Sequence, residues 1–138
     1  MSLLLNLARL IRHAPGLRSA EGFWRCARGP FHRLLDPMGR GVSIELARQR
    51  RIRLPADLTG RYDGWKTYEP ESVEQMARWI DEHPDGLVLD LGCAVGIFTA
   101  LALHGSRHVD VIAFDADAAS LRVTRRVGDV AANPARLR

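Results

Sequence analysis

Apolar and polar residues form their most regular patterns in the second half of the chain. The spacing predicts a helix that begins at Pro70, a favoured first helical position, and ends at the turn His83-Pro84-Asp85-Gly86. Its apolar face is made of residues at positions i, i+3, i+4 and i+7, namely Val73, Met76, Ala77 and Ile80. We therefore expect an amphipathic helix packed on a core.

The residues after this helix predict a strand, a glycine-rich turn, a helix and a second strand. Leu87-Val88-Leu89 is a short apolar run typical of a buried parallel strand, and Val109 to Phe114 is the next one. One helix is expected from about Ile97 to His104, and another from Ala118 to Val127. This order is typical of the first βαβ unit of a nucleotide-binding sheet, so the predicted fold class is α/β with a Rossmann-like parallel sheet.

The first half of the chain is less regular. Glycine and proline residues within positions 1–40 predict short helices and loops, and alternating apolar residues from Val42 to Leu54 predict a small β-hairpin. We expect an N-terminal extension, residues 1–54, that is helical and partly β. Residues 55–138 then form the domain that contains the βαβ unit.

The first dozen residues predict a short amphipathic helix, because Arg9 and Arg12 interrupt an otherwise apolar run. They lack the basic start and the small-residue cleavage site of a signal peptide, and no apolar run reaches the length of a transmembrane helix. The predicted helix docks on the core or on a partner chain. The alternative is peripheral contact with an acidic membrane surface.

Composition and charge indicate an ordinary globular protein. Hydrophobic residues make up 46% of the chain, charged residues 26%, and the net charge is +4. Most of the positive charge lies in residues 1–66, but the arginines are dispersed there, so we expect a solvated surface and no nucleic-acid partner. Cys26 and Cys93 lack metal-ligand spacing, which predicts free buried thiols in a reducing cytoplasm and no metal site.

The candidate binding residues lie in the glycine-rich turn after the first strand and at the end of the second strand. Gly92 allows a sharp turn and lets a ligand lie against the main chain, and Gly96 lets the next helix pack closely on the strand. Asp115, at the end of the second strand, is placed to accept hydrogen bonds from both ribose hydroxyls of an adenosine. The alternatives are a tight turn without a ligand for the glycines and a helix cap for Asp115.

The spacing of this turn discriminates among cofactors. A dinucleotide fingerprint is G-x-G-x-x-G, whereas this chain has G-x-x-x-G preceded by Asp90. A carboxylate there disfavours a phosphate and suits the sulfonium and amino groups of S-adenosylmethionine. Alternatively, Asp90 only accepts hydrogen bonds from neighbouring backbone N–H groups.

These residues resemble the first motifs of FkbM-type S-adenosylmethionine-dependent methyltransferases. Asp90-Leu91-Gly92-Cys93-Ala94-Val95-Gly96-Ile97-Phe98-Thr99 is similar to D-x-G-A-N-x-G-x-F/Y-T, and Ala113-Phe114-Asp115-Ala116 to a strand that usually ends Phe-Glu-Pro. Trp65 and Tyr68-Glu69-Pro70-Glu71 resemble the segment that leads into the preceding helix. The resemblance covers about residues 50–135 and implies O-methylation of a hydroxyl on a small-molecule acceptor, such as a sugar or a secondary metabolite. The cofactor-binding residues it implies are Asp90, Gly92, Cys93, Ala94, Gly96 and Asp115.

The chain departs from the family at Ala94, where Asn is usual, at Asp115, where Glu is usual, and at Ala116, where Pro is usual. Its 138 residues also fall short of the usual domain length, so we expect residues 55–138 to be the N-terminal half of such a methyltransferase domain, with an incomplete sheet and an open edge. The alternative function is an inactive remnant, or a non-catalytic module completed by another chain or an oligomer. No catalytic base is evident, and Trp65, Tyr68 and Trp79 are either core and lid aromatics or cofactor-stacking residues.

Overall fold

The computed structural model describes residues 21–60 and 64–138 as a mixed α/β structure with two small sheets. The helix predicted in the first dozen residues lies outside this range. The first described element is α1 (Glu21–Leu35), which packs against a single turn of 3-10 helix at Ala56–Leu58. The expectation of only short helices and loops before residue 40 is therefore wrong for this stretch. α1 runs through Gly29 and Pro30 because tertiary packing overrides their weak helix propensity.

The predicted β-hairpin is confirmed. β1 (Val42–Glu45) pairs antiparallel with β2 (Arg51–Leu54) in a register that sets Ile44 opposite Ile52. Ala47–Gln49 forms a 3-10 turn between the strands, which accounts for the break in the alternating pattern. The inward side chains are almost fully buried and join the main hydrophobic core: Ile44, Leu46, Ile52 and Leu54.

The helix predicted from Pro70 is α2 (Pro70–Glu82). Val73, Ala77 and Ile80 are buried and Met76 is half-buried, so the predicted apolar face is the buried face.

The predicted strands and helices of the second half are also present. β3 (Leu87–Leu91) leads through a turn into α3 (Ile97–Gly105), which is followed by β4 (Asp110–Phe114) and α4 (Ala118–Asp129). β3 and β4 are parallel, with Val88 opposite Val111. Most residues of α3 are buried, because this helix contacts α2, α4, β2 and both parallel strands. It is the central element of the described core.

One face of the parallel pair is not covered by the described residues. Leu87, Leu89 and Leu91 are 52%, 55% and 74% exposed, and Phe114 lies exposed beside them. The expectation that Leu87-Val88-Leu89 is a buried strand is therefore wrong for its two leucines. The reason is that α3 packs on the opposite face, which carries the fully buried Val111.

His104 joins the hairpin to α3 through a hydrogen bond that depends on its protonation state. Its Nε2 accepts the backbone N–H of Arg53 at 3.0 Å, which only a neutral ring can do. Burial, assisted by the positive charge of Arg53, lowers the pKa of His104 below its ordinary value of 6.5. The contribution of neutral His104 to the free energy of unfolding is therefore complete above pH 6.5, the ordinary pKa of the unfolded state. It is lost as the pH falls through the lower pKa of the folded state.

We expect acidification from pH 7.5 to 5 to lower the free energy of unfolding, with His104 contributing about 1 kcal/mol, the usual worth of a hydrogen bond. Urea denaturation across this range measures the effect. His104→Gln retains an acceptor oxygen and should flatten part of the profile; the remainder includes His32, whose pKa burial also lowers. Equal slopes for the wild type and for His104→Gln would contradict the assignment.

Candidate functional site

The turn between β3 and α3 is held against the end of β4. Backbone N–H groups of Gly92 and Cys93 both donate to the carbonyl of Phe114, at 2.9 and 3.0 Å. Gly92 has φ +77°, and a Cβ placed on it would meet no atom within 4 Å. The main chain at Gly92 therefore borders open space, as a backbone that contacts a ligand must.

Asp115 and the turn are directly connected. One carboxylate oxygen accepts the N–H of Ala94 at 2.9 Å, and the other accepts the N–H of Asp117 at 2.8 Å. Asp115 is thus not the cap of α4. That position belongs to Asp117, which accepts the N–H groups of Ala119 and Ser120 and has its pKa lowered by these hydrogen bonds.

Ala94 adopts a left-handed conformation, with φ +48°. This conformation favours glycine and asparagine, because a Cβ is costly there and the short polar side chain of asparagine tolerates it. The family that the turn resembles usually has Asn at this position. Ala94 adopts the same backbone conformation but has no polar side chain that could contact a ligand.

Asp90 lies at the N-terminus of α3. One of its oxygens accepts both the backbone N–H and the hydroxyl of Thr99, at 3.1 and 2.6 Å. Thr99 is fully buried, so this carboxylate satisfies two donors that have no access to water. The alternative in which Asp90 accepts a neighbouring backbone N–H is therefore present in the structure. Its other oxygen accepts no hydrogen bond from the described part of the chain.

Gly96 and Cys93 pack against α4, so the expectation that Gly96 serves close packing of α3 on the strand is wrong: the nearest atoms belong to Thr124 of α4. Gly96 has φ +73°, and a Cβ on it would come within 3.1 Å of the Cα of Thr124. The Thr124 hydroxyl lies 3.2 Å from the Cys93 sulfur, and burial raises the pKa of that thiol. Cys93 is consequently a buried, protonated turn residue. Sequence reasoning missed Thr124 because nothing along the chain marks it as the partner of a glycine 28 positions earlier.

An open groove of about 390 Å³ runs beside β3. Its lining is formed by the start of α2, one edge of β3 and the start of α3: Glu69, Ser72, Met76, Val88, Leu89, Asp90, Leu91 and Phe98. Glu69 has φ +36° at the start of α2. Glu69 belongs to the motif Tyr68-Glu69-Pro70-Glu71, but it was not selected as a site residue from the sequence.

The three aromatic residues singled out from the sequence lie outside this lining. Trp65 is buried and donates its indole N–H to the carbonyl of Thr59 at 3.1 Å. Tyr68 contacts both Trp65 and Phe98, with ring centroids 6.0 and 6.4 Å away. Trp79 stacks on His83. The interpretation of Trp65 as a core residue is confirmed, and Phe98 is the aromatic side chain that borders the groove.

The described residues contain neither a metal-binding cluster nor a membrane-spanning helix. Within residues 21–60 and 64–138, no group of three or more potential ligand side chains could hold a metal ion. Over the same residues, no helix is both long and apolar enough to span a bilayer. The expectation of buried thiols is correct for Cys93 and wrong for Cys26, which is an exposed free thiol on the outside of α1.

Comparison with known proteins returned nothing: no family model, curated protein or solved structure matches this chain.

Proposed function

We propose that the chain is an S-adenosylmethionine-dependent methyltransferase that transfers a methyl group to a hydroxyl oxygen of a sugar or secondary metabolite. β3, α3 and β4 would be the first βαβ unit of a Rossmann-like sheet. The observation that carries the proposal is the position of Asp90 at the N-terminus of α3, together with the hydrogen bond from Ala94, in the turn that precedes this helix, to Asp115 at the end of β4.

Asp90 bears on the choice of cofactor. In dinucleotide-binding folds the corresponding helix N-terminus attracts a pyrophosphate, because its N–H groups and dipole favour negative charge. Here the carboxylate of Asp90 already occupies that end of α3 through Thr99. A phosphate would meet a like charge, whereas S-adenosylmethionine has no phosphate and is cationic at its sulfonium and amino groups.

Asp115 has the capacity that ribose recognition requires. A carboxylate offers about four lone-pair positions, and two of them are used by Ala94 and Asp117. The remaining positions could accept the two ribose hydroxyls. Because aspartate is shorter than the glutamate usual in the resembling family, the ribose must lie closer to the end of β4.

The strand order supports a Rossmann-like sheet. Beyond α4, Leu137 forms a parallel bridge with Val111, and Arg138 exchanges backbone hydrogen bonds with Val111 and Ala113 at 2.9 and 3.0 Å. A third parallel segment thus lies on the outer edge of β4. The spatial order third, second, first is that of one half of a doubly wound nucleotide-binding sheet.

The residues present fit the ribose and the methionine part of the cofactor. Asp115 would hold the ribose, and the open backbone at Gly92 and the unused oxygen of Asp90 would face the methionine part. When bound, S-adenosylmethionine supplies an electrophilic methyl group on a cationic sulfur. The contribution of this chain would be to orient that group toward the acceptor oxygen, because holding two reactants in the right geometry lowers the activation barrier. No described side chain is assigned as the base.

Calorimetric titration with S-adenosylhomocysteine tests the proposal. We expect saturable binding, no comparable binding of NAD, and at least about tenfold weaker binding after Asp115→Ala, because hydrogen bonds to a charged group are worth about 1.5–3 kcal/mol. Asp129→Ala, an exposed carboxylate at the end of α4, is the matched control and should bind normally.

Circular dichroism identifies variants that fail to fold, and Asp115→Asn, which keeps one acceptor oxygen for the turn, provides a second test. A folded wild-type chain that binds no S-adenosylhomocysteine would refute the cofactor assignment. Undiminished binding by Asp115→Ala would refute the role of Asp115.

A second candidate function is a non-catalytic module completed by another polypeptide. The exposed leucines of β3 favour it, since parallel sheets are normally covered on both faces. This function predicts that the folded chain alone binds no S-adenosylhomocysteine, so the same titration distinguishes the two.

A further inference from the structure

The side of α1 that points away from the core is apolar and exposed. We call it the outer face of α1; its members are exposed residues spaced three or four positions apart, Phe23, Cys26, Pro30 and Leu34. Phe23 and Leu34 are 57% and 63% exposed, and Met38, in the turn that follows, is 73% exposed. Ala27, Phe31 and Leu35, on the adjoining side of the helix, are half-buried.

The same segment carries an excess of positive charge. Residues 21–40 contain four arginines against Glu21 and Asp36. The Asp36 carboxylate is engaged by the backbone N–H groups of Arg40 and Gly41, at 2.8 and 2.7 Å. Within residues 21–60 and 64–138, the ion pairs use other cations, namely Arg50, Lys66, Arg126 and Arg136.

Arg33 borders the outer face of α1, about one-quarter of a helical turn from Leu34. A helix with an exposed apolar stripe and arginines beside that stripe has the composition of a segment that lies in a membrane interface. There the apolar side chains enter the acyl boundary, and the guanidinium groups reach the headgroups.

We propose that the outer face of α1 docks the protein on an anionic phospholipid surface. Charge complementarity selects this partner: residues 1–66 carry 13 basic side chains against 5 acidic ones, and Phe23, Leu34 and Met38 lie within this basic half. A nucleic acid would satisfy the arginines but would leave Phe23, Leu34 and Met38 in water. This docking is independent of the methyltransferase proposal and does not use its site.

Co-sedimentation of the full chain with vesicles tests the docking. We expect binding to vesicles that mix phosphatidylcholine with phosphatidylglycerol, and much weaker binding to phosphatidylcholine alone. Phe23→Ser/Leu34→Ser should lower the partition coefficient at least about tenfold, since each buried methylene contributes to insertion. Arg33→Glu should lower it by about tenfold, because it replaces an attraction by a repulsion, and raised salt should weaken wild-type binding.

The matched control is Leu87→Ser/Leu89→Ser, which removes two leucines of similar exposure from the uncovered face of β3 and should bind like the wild type. The proposal is overturned if anionic vesicles are not bound, if neutral vesicles are bound equally well, or if the α1 variants bind unchanged. It is also overturned if RNA is bound and vesicles are not. Circular dichroism of each exposed-site variant verifies that the fold is retained.

Discussion

Gly96→Ala should lower the free energy of unfolding by about 2–5 kcal/mol. Two costs combine at this position. Gly96 has φ +73°, where an L side chain costs about 1–2 kcal/mol. The new methyl group would also lie 3.1 Å from both the Cα and the hydroxyl of Thr124, and overpacking of this kind costs about 1–3 kcal/mol. Because one of these contacts is to backbone, α3 and α4 would have to separate to relieve it.

Gly92→Ala is the control, because it shares the backbone conformation without the contact. With φ +77° and no atom within 4 Å of the added methyl group, it should cost only the conformational part, about 1–2 kcal/mol. Urea denaturation followed by the fluorescence of the buried Trp65 measures both variants. Equal losses would show that packing against Thr124 is not what requires glycine at position 96. If the proposed function is correct, Gly92→Ala should also weaken S-adenosylhomocysteine binding out of proportion to its small effect on stability.

Elements with strong local signals could be predicted from the sequence. The bounds of α2 follow from Pro70 at its start, its apolar spacing and the turn at His83. β3, α3, β4 and α4 follow in the same way from apolar runs separated by glycine and aspartate. These signals succeed because each depends on residues within a few positions of one another.

Features that depend on tertiary contacts could not be predicted in this way. α1 continues through Gly29-Pro30 because residues on its inner side pack against the turn Ala56–Leu58, which lies more than 20 positions away. The exposure of Leu89 depends on which face of β3 the helices cover, and an apolar run does not contain that information.

In the candidate site, too, the grouping of residues could be predicted from the sequence, whereas their individual hydrogen bonds could not. The sequence placed Gly92, Gly96 and Asp115 around one turn, and the structure brings them together there. It could not assign the individual hydrogen bonds of Asp90, because a carboxylate before a glycine-rich turn can face either a ligand or the helix that follows. In the structure one oxygen bonds Thr99 and the residue also borders the groove. Asp90 is therefore a structural residue whose charge, in the proposed function, also selects the ligand.

The structural role of Asp90 predicts a large loss of stability. Asp90→Ala should lower the free energy of unfolding by about 2–4 kcal/mol, because it leaves the buried hydroxyl and the backbone N–H of Thr99 without an acceptor. Asp90→Asn retains an acceptor oxygen and should cost about 1 kcal/mol, since a neutral hydrogen bond replaces a charge-assisted one.

A double-mutant cycle with Thr99→Val isolates the side-chain contact. Thr99→Val removes the hydroxyl that lies 2.6 Å from Asp90 and keeps a similar volume in the fully buried position. Once the hydroxyl is absent, Asp90→Ala leaves one donor unsatisfied and not two. The loss in the double variant should therefore be smaller than the sum of the single losses by about 1–2 kcal/mol. Strict additivity in urea denaturation would mean that the hydroxyl of Thr99 does not stabilise the fold through Asp90, and the structural role of Asp90 at α3 would then rest on the backbone N–H of Thr99 alone.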